Sequence, residues 1–245
     1  MSVPVLMSAG VLLLSDARFP AGGHAHSGSL EPAATAGIVT GLASVEAFLR
    51  GRLRTAGMTA AGLAAAACAR ARAGDPAWGE LDAEADARIP SPAQREASRR
   101  QGRALLRAAR AAWPASRWLA GLAAPSAAPG TAPSAAPAEY RGGPHHAVVL
   151  GAAAAAAGCA PREAAQIAAY QSVSGPASAA VRLLALDPMR ATAVLAGLAA
   201  DIDVTAARAA ARAAGPLRDL PCPSAPALDL LAEAHIRAEV RLFES

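Results

Sequence analysis

The chain has 245 residues, of which 53% are hydrophobic and only 3% aromatic, and its formal net charge is +4. All 23 basic residues are arginine, and this excludes the enzyme classes that need a lysine, such as Walker-type nucleotide hydrolases and Schiff-base enzymes. The arginines are spread along the chain rather than clustered, which argues against nucleic acid as the main partner.

A core made mostly of alanine, leucine and valine favours helices that pack closely. Alanine has the highest helix propensity, and small side chains let helix axes approach each other. No second stretch of the chain has its own composition or hydrophobic pattern. We therefore predict one all-α domain over residues 1–245, a bundle of about ten helices.

The most distinctive stretch covers residues 16–31 and reads D-A-R-F-P-A-G-G-H-A-H-S-G-S-L-E. Phe19 and Pro20 give a rigid approach to Gly22 and Gly23, whose backbone can adopt positive φ angles. The pattern predicts a shaped loop between two helices, with the second helix starting just after the serines that close the stretch.

Helix starts are clearer than helix faces, because alanine hides the hydrophobic period. Ser91 before Pro92, Ala160 before Pro161, and Asp187 before Pro188 each mark a start. The helical segments are predicted, in chain order, at 3–15, 29–36, 45–56, 58–73, 76–88, 93–112, 145–157, 161–171, 176–186, 189–213 and 226–242.

Two stretches lack the large apolar residues that would order them. Residues 124–143 consist mainly of alanine, proline, serine and glycine, and we predict a flexible linker there. A second proline-rich stretch separates the last helix from the body, which leaves residues 224–245 as a predicted interaction tail. The three cysteines lack a paired spacing, and no signal peptide or membrane span is evident, so we expect a cytoplasmic protein without a membrane partner.

Two histidines in the early loop are the only weak candidates for metal ligands. His24 and His26 are two residues apart, so both rings could face one nickel or zinc ion. Two ligands do not complete a site, and hydrogen-bonding loop histidines are the favoured interpretation. His145 and His146 open a helix, where structural or capping roles come first. We predict no active site and no resident cofactor, nickel being at most a transient passenger.

The carboxy-terminal end combines an arginine with two large apolar residues. Arg241, Leu242 and Phe243 have the composition of an anchor that inserts into a groove of a partner. The same residues could instead dock on the helical bundle of their own chain. The sequence leaves both interpretations open.

Four segments, taken in order and spacing, resemble the UreF family of urease accessory proteins. They are the early stretch from Leu14 to Gly37, the arginine-rich helix from Ser91 to Leu106, the run from Ser178 to Leu186, and the end formed by His235 and Arg241–Ser245. The early loop departs from the family at His24, where an aromatic residue is usual. The resemblance covers nearly the whole chain.

The resemblance implies an all-helical homodimer without catalysis of its own. Such a protein binds the UreD (UreH) scaffold protein and the GTPase UreG, and it assists GTP-dependent nickel insertion into apo-urease. The resemblance also assigns a partner-facing surface to residues of the early loop and the tail: Phe19, Pro20, Gly22, Gly23, His26, Ser27, Glu31, His235, Arg241, Leu242 and Phe243.

Two other functions remain open at this point. A basic helical regulator could bind nucleic acid through its arginines, and its binding would then weaken steeply with salt. Alternatively, the chain could carry nickel directly on His24 and His26.

Overall fold

The computed structural model of the chain describes residues 9–20, 26–122, 143–238 and 241–243, and these residues form helices and turns without a β-strand. The prediction of an all-α fold is confirmed. The α-helices are α1 Ala9–Ser15, α2 Leu30–Thr35, α3 Leu42–Arg52, α4 Met58–Ala73, α5 Trp78–Arg88, α6 Pro92–Ala112, α7 Arg117–Gly121, α8 His146–Ala156, α9 Pro161–Leu183, α10 Pro188–Gly197, α11 Ala199–Ala210 and α12 Pro226–Ile236. A π-helical turn, Leu53–Gly57, joins α3 to α4, and a 3₁₀ turn lies at Leu217–Asp219.

Helix α4 is the centre of the bundle, and it packs against α8, α9 and α11. Its residues 61–68 are all buried, as are residues 147–154 of α8. Where the two helices cross, a Cβ on Gly151 would lie 2.4 Å from the Ala64 carbonyl oxygen. The small residues therefore do what the composition predicts, since they let the helix backbones touch.

The helix starts that the sequence indicates are present. The Ser91 hydroxyl accepts a hydrogen bond from the N–H of Gln94, and Asp187 accepts one from the N–H of Met189. Pro161 is the first residue of α9. Each proline stands in the first turn, where its missing N–H costs no helical hydrogen bond.

Three predicted helix boundaries are wrong. The segments 161–171 and 176–186 form one helix that continues through Pro176. The segment 189–213 is two helices, because the chain turns after Gly197 and buries Leu198 completely. The last helix ends at Ile236 rather than at residue 242, because the chain turns back and brings the following residues to α2.

Some predictions fall on residues outside the described ranges. These are the first part of the helix 3–15, the loop residues Gly22, Gly23 and His24, most of the linker 124–143, and parts of the tail 224–245. Gly143, the last residue of the predicted linker, is described and is buried. None of the helices in the described ranges combines the length and the apolar character that crossing a bilayer requires.

Candidate functional site

The carboxy-terminal residues fold back onto the early loop and contact one carboxylate. Glu31, in the first turn of α2, is buried, and its two oxygens accept hydrogen bonds from the backbone N–H groups of Leu242 and Phe243, at 2.7 and 2.9 Å. Hydrogen bonds to an ionised carboxylate are the stronger, charge-assisted kind. We call this contact between Glu31 and residues 241–243 the tail clasp.

The Phe243 ring completes the tail clasp. It is buried, and the guanidinium of Arg182 on α9 lies over it at 4.8 Å from the ring centroid. The Nε2 atom of His235 lies 3.1 Å from the carbonyl oxygen of Phe243, so this nitrogen acts as the donor. Of the two interpretations of the tail, docking on its own bundle describes Phe243 in this structure.

The neighbouring tail residues point away from the bundle. Leu242 is 68% exposed, and Arg241 is exposed as well. On α12, Leu230 is 72% exposed. Helix α12 packs on α2, and the hydroxyl of Ser29 donates to the carbonyl oxygen of Leu228, so the exposed leucines belong to the same corner of the molecule as the tail clasp.

The described part of the early loop contacts Glu31 of the tail clasp. Ser27 is buried, and its hydroxyl accepts a hydrogen bond from the N–H of Glu31 at 3.3 Å, which places the carboxylate at the start of α2. His26 is also buried. Phe19 packs against Trp113, with 6.1 Å between the ring centroids, and Pro20 is exposed.

A cavity of about 820 Å³ adjoins the tail clasp. Its wall contains His26 and Gly28 of the early loop, Arg182 of α9 and Phe243 of the tail, together with residues of α6 and of the stretch before α12. The structure therefore brings Ser27, Glu31, His235, Leu242 and Phe243, all predicted partner-facing residues, into one cluster beside a cavity that His26 also lines.

Besides His145, whose ring contacts Ser98 and Asp86, two histidines line this cavity from different elements. His26 comes from the early loop and His146 from the start of α8. Burial, with a smaller contribution from the nearby His26, lowers the pKa of His146 to about 4. The ring of His146 is therefore neutral at pH 7 and can offer a nitrogen lone pair.

A buried ionic cluster, which the sequence analysis missed, joins α5, α6 and α8. Arg99 donates to Asp82 at 2.7 Å and to Asp86 at 2.6 Å, and Asp86 in turn contacts Nε2 of His145 at 2.9 Å. Asp82 also accepts the backbone N–H of His145, at the start of α8. Ser98 completes the cluster through Nδ1 of His145 at 3.0 Å.

This ionic cluster is a structural connection between helices rather than a metal centre. Oxygens of Asp82 and Asp86 and a nitrogen of His145 lie within 4.8 Å of one another, which is close enough for a cation. The guanidinium of Arg99, however, already contacts both carboxylates. Of the structural or capping roles expected for His145, the structure shows a structural one: the residue stands at the N-cap position of α8, but its side chain makes no capping hydrogen bond and instead contacts Ser98 and Asp86. The spacing of Asp82 and Asp86, four residues apart on one helix, is the signal that could have revealed the cluster.

Comparison with known proteins gives consistent matches. The family model described as UreF matches residues 39–199 of the chain. The chain is 44% identical to the urease accessory protein UreF of Mycolicibacterium vanbaalenii, over 97% of this chain and 98% of that protein. It is 43% identical to the UreF of Mycobacterium marinum and 42% identical to the UreF of Mycobacterium tuberculosis strain H37Ra, in both cases over 96% of this chain and 97% of the relative.

Proposed function

The chain belongs to the UreF family of urease accessory proteins, with a role in urease maturation, and we propose that it acts by holding a scaffold protein of the UreD (UreH) type at the tail clasp. The observation that carries this proposal is the exposure of Leu242 beside a backbone that Glu31 fixes. A leucine on an ordered backbone loses little conformational entropy when a partner covers it.

A substitution at Leu242 tests the proposal without disturbing the bundle. Because the side chain is 68% exposed, Leu242→Asp leaves the fold intact while it places a charge in the interface. We expect co-purification with the scaffold protein to weaken at least tenfold, since losing one apolar anchor and burying a charge cost about 2 kcal/mol or more. Binding at the wild-type level would refute the assignment.

Met189 provides the matched control. It is 76% exposed and lies on α10, on a different helix from the tail clasp. Met189→Asp introduces the same charge at an equally exposed apolar position, and we expect scaffold binding at the wild-type level. Far-ultraviolet circular dichroism of both variants reports whether the helices are retained.

The steps that follow scaffold binding are also part of the proposal. We propose that a homodimer of this chain, in the cytoplasm, joins the scaffold and the GTPase UreG to apo-urease, and that GTP hydrolysis is coupled to nickel insertion. Membership of the UreF family supports these steps. Reconstitution of apo-urease with this chain, the scaffold protein and UreG tests them, because nickel incorporation should require both GTP and this chain.

Direct contact with nickel is a second candidate function, and one observation favours it. His26 and His146 face one cavity, and neutral imidazole is a good ligand for nickel. The sequence suggested His24 and His26 as the pair of nickel ligands, but His24 lies outside the described residues. The second ligand proposed here is therefore His146. The nucleic-acid alternative has no comparable support, because arginines such as Arg88 and Arg99 are engaged within the chain.

Equilibrium dialysis tests the second candidate. Wild-type protein should retain nickel at pH 7.5, and the double variant His26→Ala, His146→Ala should lose at least tenfold in affinity, because removing both ligands leaves the ion without a nitrogen donor. Ser174→Ala, at another residue of the cavity wall, is the control that should bind as wild type does. Equal retention by all three proteins would contradict the candidate.

A further inference from the structure

Arg52 lies where two neighbouring helices both depart from regular geometry. It is the last residue of α3, immediately before the π-helical turn Leu53–Gly57, and its side chain lines the cavity. Opposite it, α9 contains Pro176 within the helix. Single π-helical turns are rare, and they occur frequently at functional sites.

The proline in α9 explains one contact of Arg52. Pro176 has no N–H, so the carbonyl oxygen of Ser172, four residues earlier, has no helical donor. The Nε of Arg52 donates to this oxygen at 3.0 Å. The guanidinium thereby supplies the missing hydrogen bond, and its plane is fixed against α9.

Among the residues that the structure describes, Arg52 makes no side-chain hydrogen bond besides the one from Nε. In the described ranges, no acceptor lies within hydrogen-bonding distance of Nη1 or Nη2 of Arg52, and no carboxylate forms an ion pair with it. Burial lowers the pKa of Arg52 to about 10, so the group stays cationic at pH 7. A partly buried cation without a counter-charge is costly, because it has lost part of its hydration without gaining a partner.

Two other charged groups on the same cavity wall, Arg88 and Asp16, differ from Arg52 in this respect. Arg88 forms an ion pair with Glu84 and also donates to the carbonyl oxygen of Leu217. Asp16 forms an ion pair with Arg18. Arg52 is therefore a partly buried positive charge of this wall whose outer two nitrogens have no acceptor among the described residues.

The early loop encloses Arg52 from the other side. Gly28 has φ of +60°, and a Cβ at this position would lie 2.8 Å from the Cζ of Arg52. On the helix side, a Cβ at Gly57 would lie 2.6 Å from the hydroxyl oxygen of Ser172. The two glycines permit the close approach that holds the guanidinium in one orientation.

We infer that Arg52 is an anion-binding residue that accepts a carboxylate group in the cavity. Its Nη1 and Nη2 form a planar pair of donors, and a carboxylate matches this pair with two parallel hydrogen bonds. A single positive charge balances a single negative one. The carboxylate could belong to a small free anion or to an acidic side chain of a partner, and the chemistry at Arg52 is the same for both.

The first experiment needs no variant and uses sodium acetate as the probe. The Nε–Hε group of Arg52 is hydrogen-bonded to Ser172, so its resonance in a ¹⁵N-labelled sample is protected from exchange. Titration with acetate against sodium chloride of equal ionic strength should shift this resonance saturably, with a Kd on the order of millimolar. Acetate should also raise the melting temperature of the wild-type chain. Arg52→Gln should lose this increase, whereas Arg54→Gln, at an exposed arginine two residues away, should retain it.

The second experiment distinguishes the source of the carboxylate. If a partner supplies it, acetate leaves the isolated chain unchanged, but Arg52→Gln weakens co-purification with the scaffold protein at least fivefold and Arg54→Gln does not. If Arg52→Gln does not fold, Arg52→Lys replaces it, since it keeps the charge and removes the paired donors. No response to acetate together with unchanged scaffold binding would overturn the inference. Failure of the wild-type chain to bind the scaffold refutes only the proposed function, because the acetate titration is independent of it.

Discussion

Glu31 uses both carboxylate oxygens to hold the backbone of the tail, and this makes it the residue whose change should release the tail most selectively. Glu31→Gln keeps the shape but replaces one acceptor oxygen with an amide donor, which faces an N–H group. We expect a loss of about 1.5–3 kcal/mol of tail docking, that is, roughly ten- to hundredfold faster amide exchange at Leu242 and Phe243. Glu46→Gln, at an exposed glutamate, should leave this exchange unchanged. Unchanged exchange in Glu31→Gln would show that the tail clasp does not depend on the carboxylate.

His146 gives the stability of the chain a defined pH dependence. Its pKa is about 4 in the folded state, against an ordinary value of 6.5. The unfolded chain therefore binds more protons between these values, so the contribution of His146 is fully present above pH 6.5 and is lost as the pH falls towards 4. The loss amounts to at most about 3 kcal/mol. Urea unfolding from pH 4 to pH 7 should show this slope in the wild type, and His146→Gln should flatten it.

The sequence predicted the roles of some of these residues and not of others. Glu31 and His235 were singled out by the family resemblance, and the structure places both at the tail clasp. Arg52 gave no comparable signal, because its environment depends on Pro176, which is 124 positions further along the chain. The surroundings of such a partly buried charge are known only once the helices that form them are assembled.

At the scale of elements, the close approach between α6 and the start of α8 is the most sensitive to added volume. A Cβ on Gly102 would lie 2.0 Å from the carbonyl oxygen of Pro144 and 3.1 Å from the carbonyl carbon of His145, so the backbones must separate to admit it. We expect Gly102→Ala to lower the free energy of unfolding by about 3 kcal/mol. Gly51→Ala, where no atom lies within 4 Å, should instead raise it by about 0.5–1 kcal/mol. Chemical denaturation measures both, and equal effects at the two glycines would contradict this packing.

Helix starts were more predictable than helix ends, although the start expected at residue 176 lies inside α9. A start has a local chemical signature, such as Ser91 followed by proline, and the structure confirms it. An end depends on tertiary contacts: α9 continues through Pro176 because Arg52 supplies the missing donor, and α12 stops at Ile236 because Glu31 holds the residues that follow. These partners are distant in sequence, so a local pattern cannot reveal them.

At the scale of the whole molecule, the amino-terminal and carboxy-terminal halves are built around one helix. Helix α4 belongs to the first half, and α8, α9 and α11, which cover it, belong to the second. Composition predicted this sharing, since neither half has enough large apolar residues for a core of its own. The order in which the helices cover α4 was not predictable, because alanine residues on every face hide the buried side of each helix.

Cleavage of the chain between the halves tests whether they fold as one unit. Cleavage at a protease site inserted near residue 132, within the predicted linker, would break the covalent connection between residues 9–122 and residues 143–238. We expect the two fragments to co-elute on size exclusion and to unfold in one transition, because separation would expose the buried faces of α4 and α8 to water. Gly151→Leu should release the fragments after cleavage, since even a Cβ at this crossing would lie 2.5 Å from that of Ala67. Fragments that separate without this substitution would instead indicate two independent domains.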